Sequence, residues 1–153
     1  MGKVEERIKA SGLSLPEAPT PMGAYVPFTR SGKLILVSGQ LPRQEGRIIF
    51  QGRVPAEISP EKAKEAARLA GLNAISVLKS AAKELDKVKQ ILRLTCWVAS
   101  SPAFFDQPQV ANGASDLMVE IFGEAGKHSR MTTGVIALPG NACFAVELLA
   151  ELK

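Results

Sequence analysis

Two segments of the chain repeat apolar residues with the period of an α-helix. The first follows Ser59 and Pro60, which are favourable as a helix N-cap and as the first helical residue. Its apolar positions recur at i, i+3, i+4 and i+7 and are Ala63, Ala66, Ala67, Ala70, Ala74, Val77, Leu78, Ala81 and Leu85. The second stripe is narrower and consists of Val110, Ala114, Leu117, Met118, Ile121 and Phe122. We predict two amphipathic helices, the first with an alanine-rich face suited to close packing against a sheet.

Six other segments are rich in β-branched and aromatic residues, or alternate between apolar and polar ones, as strands do. They are Tyr25–Thr29, Lys33–Ser38, Arg47–Phe50, Ile91–Ser100, Met131–Leu138 and Cys143–Leu152. The first two flank the turn Arg30-Ser31-Gly32, and the last two flank Leu138-Pro139-Gly140. We therefore predict a hairpin at each of these two places.

The order of these elements, β-β-β-α-β-α-β-β, predicts an α+β fold with a six-stranded mixed sheet and both helices on one face. The chain fits a single domain over residues 1–153, whose residues 1–20 form an N-terminal arm with a turn or two of helix. The last predicted strand carries apolar residues on both of its faces. Because the helices cover only one face of the sheet, we expect a partner subunit to cover the other, and hence an oligomer.

Charge and composition limit the partners of the protein. The net charge is +4, but the basic residues of the first helix are interleaved with acidic ones, as on a solvated helix face. One Trp and one Tyr offer little for stacking bases, so we do not expect a nucleic-acid partner. No stretch is apolar for long enough to span a bilayer, and the charged opening segment lacks the apolar core of a secretory signal. These features predict a cytoplasmic protein that does not bind membranes.

Cysteine and histidine give no sign of a metal centre. Cys96 and Cys143 lie in apolar, strand-like contexts without CxxC spacing, so we interpret them as small buried hydrophobic residues. His128 is the only histidine; it is a candidate general base, although a single loop histidine is more often solvated. We predict neither a metal site nor a cofactor.

Arg130 is the residue that most suggests chemistry. It precedes the predicted strand Met131–Leu138, at the mouth of the last predicted hairpin. A guanidinium holds five donors in a planar fork that matches the carboxylate of a small molecule. We predict a site there for a small ligand that bears a carboxylate.

Two motifs resemble those of the RidA/YjgF family. They are Gly23-Ala24-Tyr25 and the hydrophobic strand that ends in Ser38-Gly39-Gln40-Leu41-Pro42. The spacing of Arg130 to Leu138-Pro139, with an acidic strand after it, is also similar, and the resemblance covers nearly the whole chain. It implies a chorismate-mutase-like fold, a homotrimer with ligand clefts between subunits, and hydrolysis of reactive imines or enamines to 2-oxo acids and ammonia. An older family label describes endoribonucleases that inhibit translation.

The resemblance also assigns roles to individual residues. It implies that Tyr25, Ser38 and Asn112 line the substrate pocket, and that Arg130 binds the substrate carboxylate and is needed for catalysis. Ala145 departs from the pattern, because deaminases of the family have a glutamate there.

Each of these residues also has an ordinary structural interpretation. Glu147, two residues after Ala145, is a substitute for the missing acid or, preferably, a structural carboxylate paired with a cation. Ser38 at the end of a strand is suited to satisfying local backbone groups, and Asn112 to capping a helix. Tyr25 is suited to a half-buried place on the sheet with its hydroxyl in water, and Arg130 to the protein surface.

Three functional hypotheses remain open at the level of sequence. The first is a deaminase of the imine and enamine type, and the second is a non-catalytic module that binds or senses a small carboxylate. Ala145 favours the second. The third, a ribonuclease, is the least supported, because only His128 offers acid-base chemistry for RNA cleavage.

Overall fold

The computed structural model describes residues 2–20 and 23–153. Three α-helices lie in this part of the chain: α1 (Lys3–Ala10), α2 (Pro60–Ala82) and α3 (Gln107–Phe122). The strands are β1 (Phe28–Ser31), β2 (Leu34–Gln40), β3 (Arg43–Gln44), β4 (Arg47–Ile48), β5 (Val88–Ala99), β6 (Ser129–Val135) and β7 (Phe144–Leu152). The predicted α+β class and the two main helices are confirmed.

The main sheet has five strands in the order β1-β2-β7-β5-β6. All neighbouring strands are antiparallel except β5 and β6, which run parallel. β7 therefore lies in the middle of the sheet, and β6 forms one of its edges. A separate small sheet contains β3 and β4.

Helices α2 and α3 pack against each other on one face of this sheet. The side chain of Ser59 caps α2 by accepting a hydrogen bond from the Lys62 backbone N–H at 3.2 Å. Gly113 on α3 lies so close to α2 that a Cβ atom there would overlap the carbonyl oxygen of Lys64. The small residues of both helices thus allow their backbones to approach closely, as the alanine-rich stripe predicts.

The opposite face of the sheet is open in the single chain. On β7 the residues that face the helices are buried, whereas Glu147 on the other face is exposed. Leu36 and Met131 also lie on the open face and are 46% and 53% exposed. The predicted uncovered apolar face is therefore present.

The sheet differs from the prediction in two respects. The segment Arg47–Phe50 does not join the main sheet: β4 ends at Ile48 and pairs only with β3, and Phe50 adopts a positive φ of 55°. The predicted last hairpin is wrong, because β6 pairs with β5 and β7 lies on the other side of β5. A strand that lies between two neighbours pairs the backbone groups along both of its edges. The turn at Pro139 alone does not predict that β7 takes such a central position.

The N-terminal helix α1 is anchored by a distant residue. The carboxylate of Asp86 accepts hydrogen bonds from the backbone N–H groups of Lys3 and Val4 at 2.9 and 2.8 Å. These bonds lower the pKa of Asp86. The predicted helical turns in the arm are thus confirmed.

Within residues 2–20 and 23–153, no helix is both long and apolar enough to cross a membrane.

Candidate functional site

Arg130 is the second residue of the edge strand β6, and its side chain points towards the helices. It pairs with Leu94 on β5, which in turn pairs with Leu148 on β7, so the three residues share a row and a face of the sheet. Nη1 of Arg130 donates to Oδ1 of Asn112 at 2.8 Å and to Oγ of Ser115 at 3.0 Å. Among the residues that the structure describes, no carboxylate forms an ion pair with this half-buried guanidinium.

Helix α3 supplies both acceptors for Arg130. Asn112 and Ser115 are three residues apart and so lie on the same side of the helix. The helix begins at Gln107, which places Asn112 in the second turn; the interpretation of Asn112 as a helix cap is therefore wrong. Sequence reasoning missed Ser115. Its position three residues after Asn112 places both side chains on one side of the helix, but that spacing does not show that Arg130 lies opposite them.

His128 continues this set of hydrogen bonds. Its Nε2 lies 2.9 Å from Oγ of Ser115, and its Nδ1 lies 2.7 Å from the carbonyl oxygen of Gly126. The ring is half-buried, so the expectation of a solvated loop histidine is wrong. Burial lowers the pKa of His128 and the positive charge of Arg130 lowers it further, while the hydrogen bond to Gly126 acts in the opposite direction.

Glycine is required at position 126 for this arrangement. A Cβ atom on Gly126 would overlap the carbonyl oxygen of Met118 on α3. The backbone can therefore pass close to the helix only without a side chain, and this contact brings the Gly126 carbonyl to the ring of His128.

Tyr25 and Ser38 lie together at a different place, near the end of β2. Both line a small cavity of about 60 Å³, together with Pro19, Pro27 and Gln40 among other residues. The Ser38 hydroxyl donates to the Val26 carbonyl at 2.6 Å, which ties the segment before β1 to β2. Ser38 thus satisfies local backbone, as one interpretation predicts, and Tyr25 is 55% exposed.

A single chain does not bring the two groups of predicted residues together. Ser38 lies on β2 and Arg130 on β6, and both β7 and β5 lie between those strands. Three strand spacings amount to roughly 14 Å. The structure thus joins Arg130 with Asn112, Ser115 and His128, and joins Tyr25 with Ser38, as two separate half-sites.

Ala145 and Glu147 belong to the open face of the sheet. Glu147 pairs with Thr95, which pairs with Met131, so its side chain points away from the side on which Arg130 lies. Glu147 is exposed and forms no ion pair with any residue that the structure describes, so the single chain offers no cation partner for the predicted structural carboxylate. Ala145 lies in the row of Trp97.

The two cysteines are buried and free, and burial raises the pKa of each thiol to about 12. Such thiols stay protonated at neutral pH and pack as small apolar groups. Across residues 2–20 and 23–153, no three His, Cys, Asp or Glu side chains lie close enough together to hold a metal ion.

The fold and the half-sites define a class: an α+β protein with a mixed five-stranded sheet, two helices on one face and an arginine-centred site at the sheet edge. The family model described as "YjgF/chorismate_mutase-like, putative endoribonuclease" matches residues 5–152, and the chain belongs to this family. The resemblance to RidA/YjgF proteins is thereby confirmed.

Known proteins are similar over nearly their whole length. Protein TCP17 of Trypanosoma cruzi is 39% identical over 99% of this chain and 96% of its own. A crystal structure of a "putative endoribonuclease" from Shewanella oneidensis MR-1 has a TM-score of 0.96 and 41% identity, covering 99% of this chain and 100% of that one. E. coli TdcF, solved with bound serine, has a TM-score of 0.66 at 22% identity over 90% of this chain and 94% of its own, and so shares the fold.

Proposed function

We propose that the protein binds a small carboxylate-bearing molecule through Arg130 and hydrolyses reactive 2-imino acids or their enamines to 2-oxo acids and ammonia. Membership of the family supports a small-molecule-binding or deaminase-type role at the family level. The ligand and the reaction are our proposal for this chain.

The hydrogen-bond pattern of Arg130 is the observation that carries the proposal. Nη1 uses its two hydrogens on Asn112 and Ser115. Nε–H and the adjacent Nη2–H, which lie side by side, have no acceptor among the residues described. This remaining pair is the fork that accepts both oxygens of one carboxylate. A buried or half-buried guanidinium without a carboxylate partner is costly, and a ligand carboxylate would offset that cost.

The separation of the two half-sites supports an oligomer, as the resemblance also implies. The Arg130 half-site lies at the β6 edge, and the Tyr25 and Ser38 half-site lies towards the β1 side. If the β6 edge of one copy meets the β1 side of the next, each interface contains one Arg130 half-site and one Tyr25 and Ser38 half-site. A head-to-tail contact of this kind forms a ring when its rotation closes, and we propose a homotrimer with a ligand cleft at each interface. We also expect a cytoplasmic location.

Once the ligand is bound, hydrolysis of the imine requires few further groups from the protein. Water adds to the carbon of the C=N bond, both protons of that water pass in turn to the nitrogen, and ammonia leaves as the carbonyl forms. Holding the carboxylate on Arg130 fixes the position of that carbon, and positioning alone lowers a barrier by several kcal/mol. Because Ala145 stands where the resemblance implies a glutamate, the rate should be lower than with a general base at that position.

Ala145 also favours the second candidate function, a non-catalytic module that binds a small carboxylate. Both functions need Arg130 and differ only in turnover. Binding of 2-oxobutanoate and L-serine, measured by calorimetry, tests what they share.

We expect Arg130→Gln to weaken 2-oxobutanoate binding roughly tenfold to a hundredfold, since it removes charge-assisted hydrogen bonds. Arg130→Lys should recover part of the loss, because it restores charge without the fork. Arg47→Gln is a matched control on an exposed arginine of β4 and should bind as wild type. Unchanged binding in Arg130→Gln would remove the proposed function.

Turnover is tested with an imine generated in the cuvette by an L-amino-acid oxidase. Semicarbazide reacts faster with the imine than with the 2-oxo acid, so a hydrolysing protein lowers the initial rate of semicarbazone formation, and the decrease grows with protein concentration. A decrease with wild type that disappears in Arg130→Gln supports the deaminase. Binding without any such decrease supports the non-catalytic module instead.

A further inference from the structure

The hydrogen bonds behind Arg130 have a fixed direction. The Gly126 carbonyl can only accept, so Nδ1 of His128 carries the proton of the neutral ring and Nε2 is an acceptor. The hydroxyl of Ser115 then donates to Nε2, and its lone pair accepts from Nη1 of Arg130. Each hydrogen bond in this series therefore has one direction, and the series runs from the guanidinium to a backbone carbonyl.

The charges around His128 favour its neutral form. Arg130 on β6 is the charged side chain nearest in this set of bonds, α3 contributes the neutral Ser115, and the preceding loop contributes the exposed ion pair of Lys127 with Glu124 at 2.9 Å. A protonated ring would place a second cation beside the guanidinium and would remove the acceptor for Ser115. At neutral pH the ring therefore keeps its lone pair towards Ser115.

We propose that Ser115 and His128 are positioning residues for Arg130: they fix the plane of its guanidinium so that the Nε and Nη2 fork is oriented before the ligand arrives. This inference rests on the proposed function, because it concerns the same carboxylate site. Asn112 alone would hold Nη1 by one hydrogen and leave the plane free to tilt. Ser115 holds the second hydrogen, and His128 keeps the lone pair of Ser115 turned towards Arg130.

A side chain that is ordered before binding loses less conformational freedom when the ligand binds. Removing Ser115 should therefore weaken carboxylate binding although Ser115 does not touch the ligand. We expect Ser115→Ala to weaken 2-oxobutanoate binding roughly threefold to tenfold, which corresponds to one ordinary hydrogen bond. Ser115→Thr keeps the hydroxyl and should restore binding.

Ser80→Ala is the matched control. Ser80 lies on α2 and its hydroxyl bonds only to the Val77 carbonyl of the same helix at 2.7 Å. It should bind 2-oxobutanoate as wild type does. Equal binding in Ser115→Ala and wild type, with binding lost in Arg130→Gln, would overturn the positioning role and leave the proposed function standing. Equal binding in all variants, Arg130→Gln included, would overturn the proposed function.

A spectroscopic test needs no variant and so holds even if Ser115→Ala fails to fold. The chain has a single histidine, so nitrogen-15 spectra of the ring give one pair of signals. We expect the tautomer with the proton on Nδ1 at neutral pH. A proton on Nε2 would mean that Ser115 is not turned towards Arg130 in the way described, and would overturn the inference.

Discussion

The N–H groups of Arg130 that remain available to a ligand are those that no protein group has already bonded. Asn112 and Ser115 occupy Nη1, and no carboxylate of the described chain competes for the rest. A surface arginine would have many orientations, whereas this one is held in one. Two neutral acceptors thus hold this guanidinium in the orientation that the proposed carboxylate site requires.

The histidine behind Arg130 makes stability depend on pH. The folded pKa of His128 is lowered below its ordinary value of 6.5, so the unfolded chain binds a proton first as the pH falls. The stability contributed by the neutral ring is present above about pH 6.5 and is lost as the pH falls through the folded pKa. We expect wild type to lose more stability than His128→Gln between about pH 7.5 and pH 5, measured by urea unfolding. Parallel stability curves for the two proteins would contradict this.

Sequence reasoning predicted some residues of this site and missed the groups that connect them. Arg130 and Asn112 were predicted as pocket residues through the family resemblance, and their side chains are in contact. Ser115 and the Gly126 carbonyl were not predicted, because their roles depend on where α3 lies relative to β6. That distance is set by packing around Gly126, and no local pattern of residues encodes it.

At the scale of the elements, α2 and α3 can approach closely because position 113 is a glycine. Gly113→Ala would drive a methyl group into the Lys64 carbonyl, against a backbone that cannot rotate away. We expect a loss of about 2 kcal/mol in the free energy of unfolding, since overpacking costs more than the better helix propensity of alanine returns. Because α3 carries Asn112 and Ser115, 2-oxobutanoate binding should weaken as well. A variant as stable as wild type in urea would show that the helices can separate without cost.

The elements themselves were predicted better than their pairing. The period of apolar residues is local, so α2 and α3 were found with boundaries a few residues off: α2 ends at Ala82 instead of Leu85. Pairing is not local. A strand, a tight turn and another strand predict a hairpin, yet β7 inserts between β2 and β5, where both rows of its backbone groups and its apolar side chains are covered.

At the scale of the whole molecule, the two half-sites predict that single variants complement each other. Arg130→Gln and Tyr25→Ala should each weaken 2-oxobutanoate binding. In rings formed from an equal mixture of the two chains, about a quarter of the interfaces should pair an intact Arg130 with an intact Tyr25. Co-expression followed by calorimetry should therefore recover high-affinity binding at about a quarter of the sites. Mixtures with no recovered sites would mean that Arg130 and Tyr25 do not meet across an interface.

The position of Trp97 offers an optical test of the proposed assembly. It is the only tryptophan, it lies half-buried in the row of Ala145, and it faces the open side of the sheet. Indole emission shifts to longer wavelength when water reaches the ring. If a second copy covers that face in the proposed assembly, the emission of the protein should shift to longer wavelength on dilution, as the copies separate.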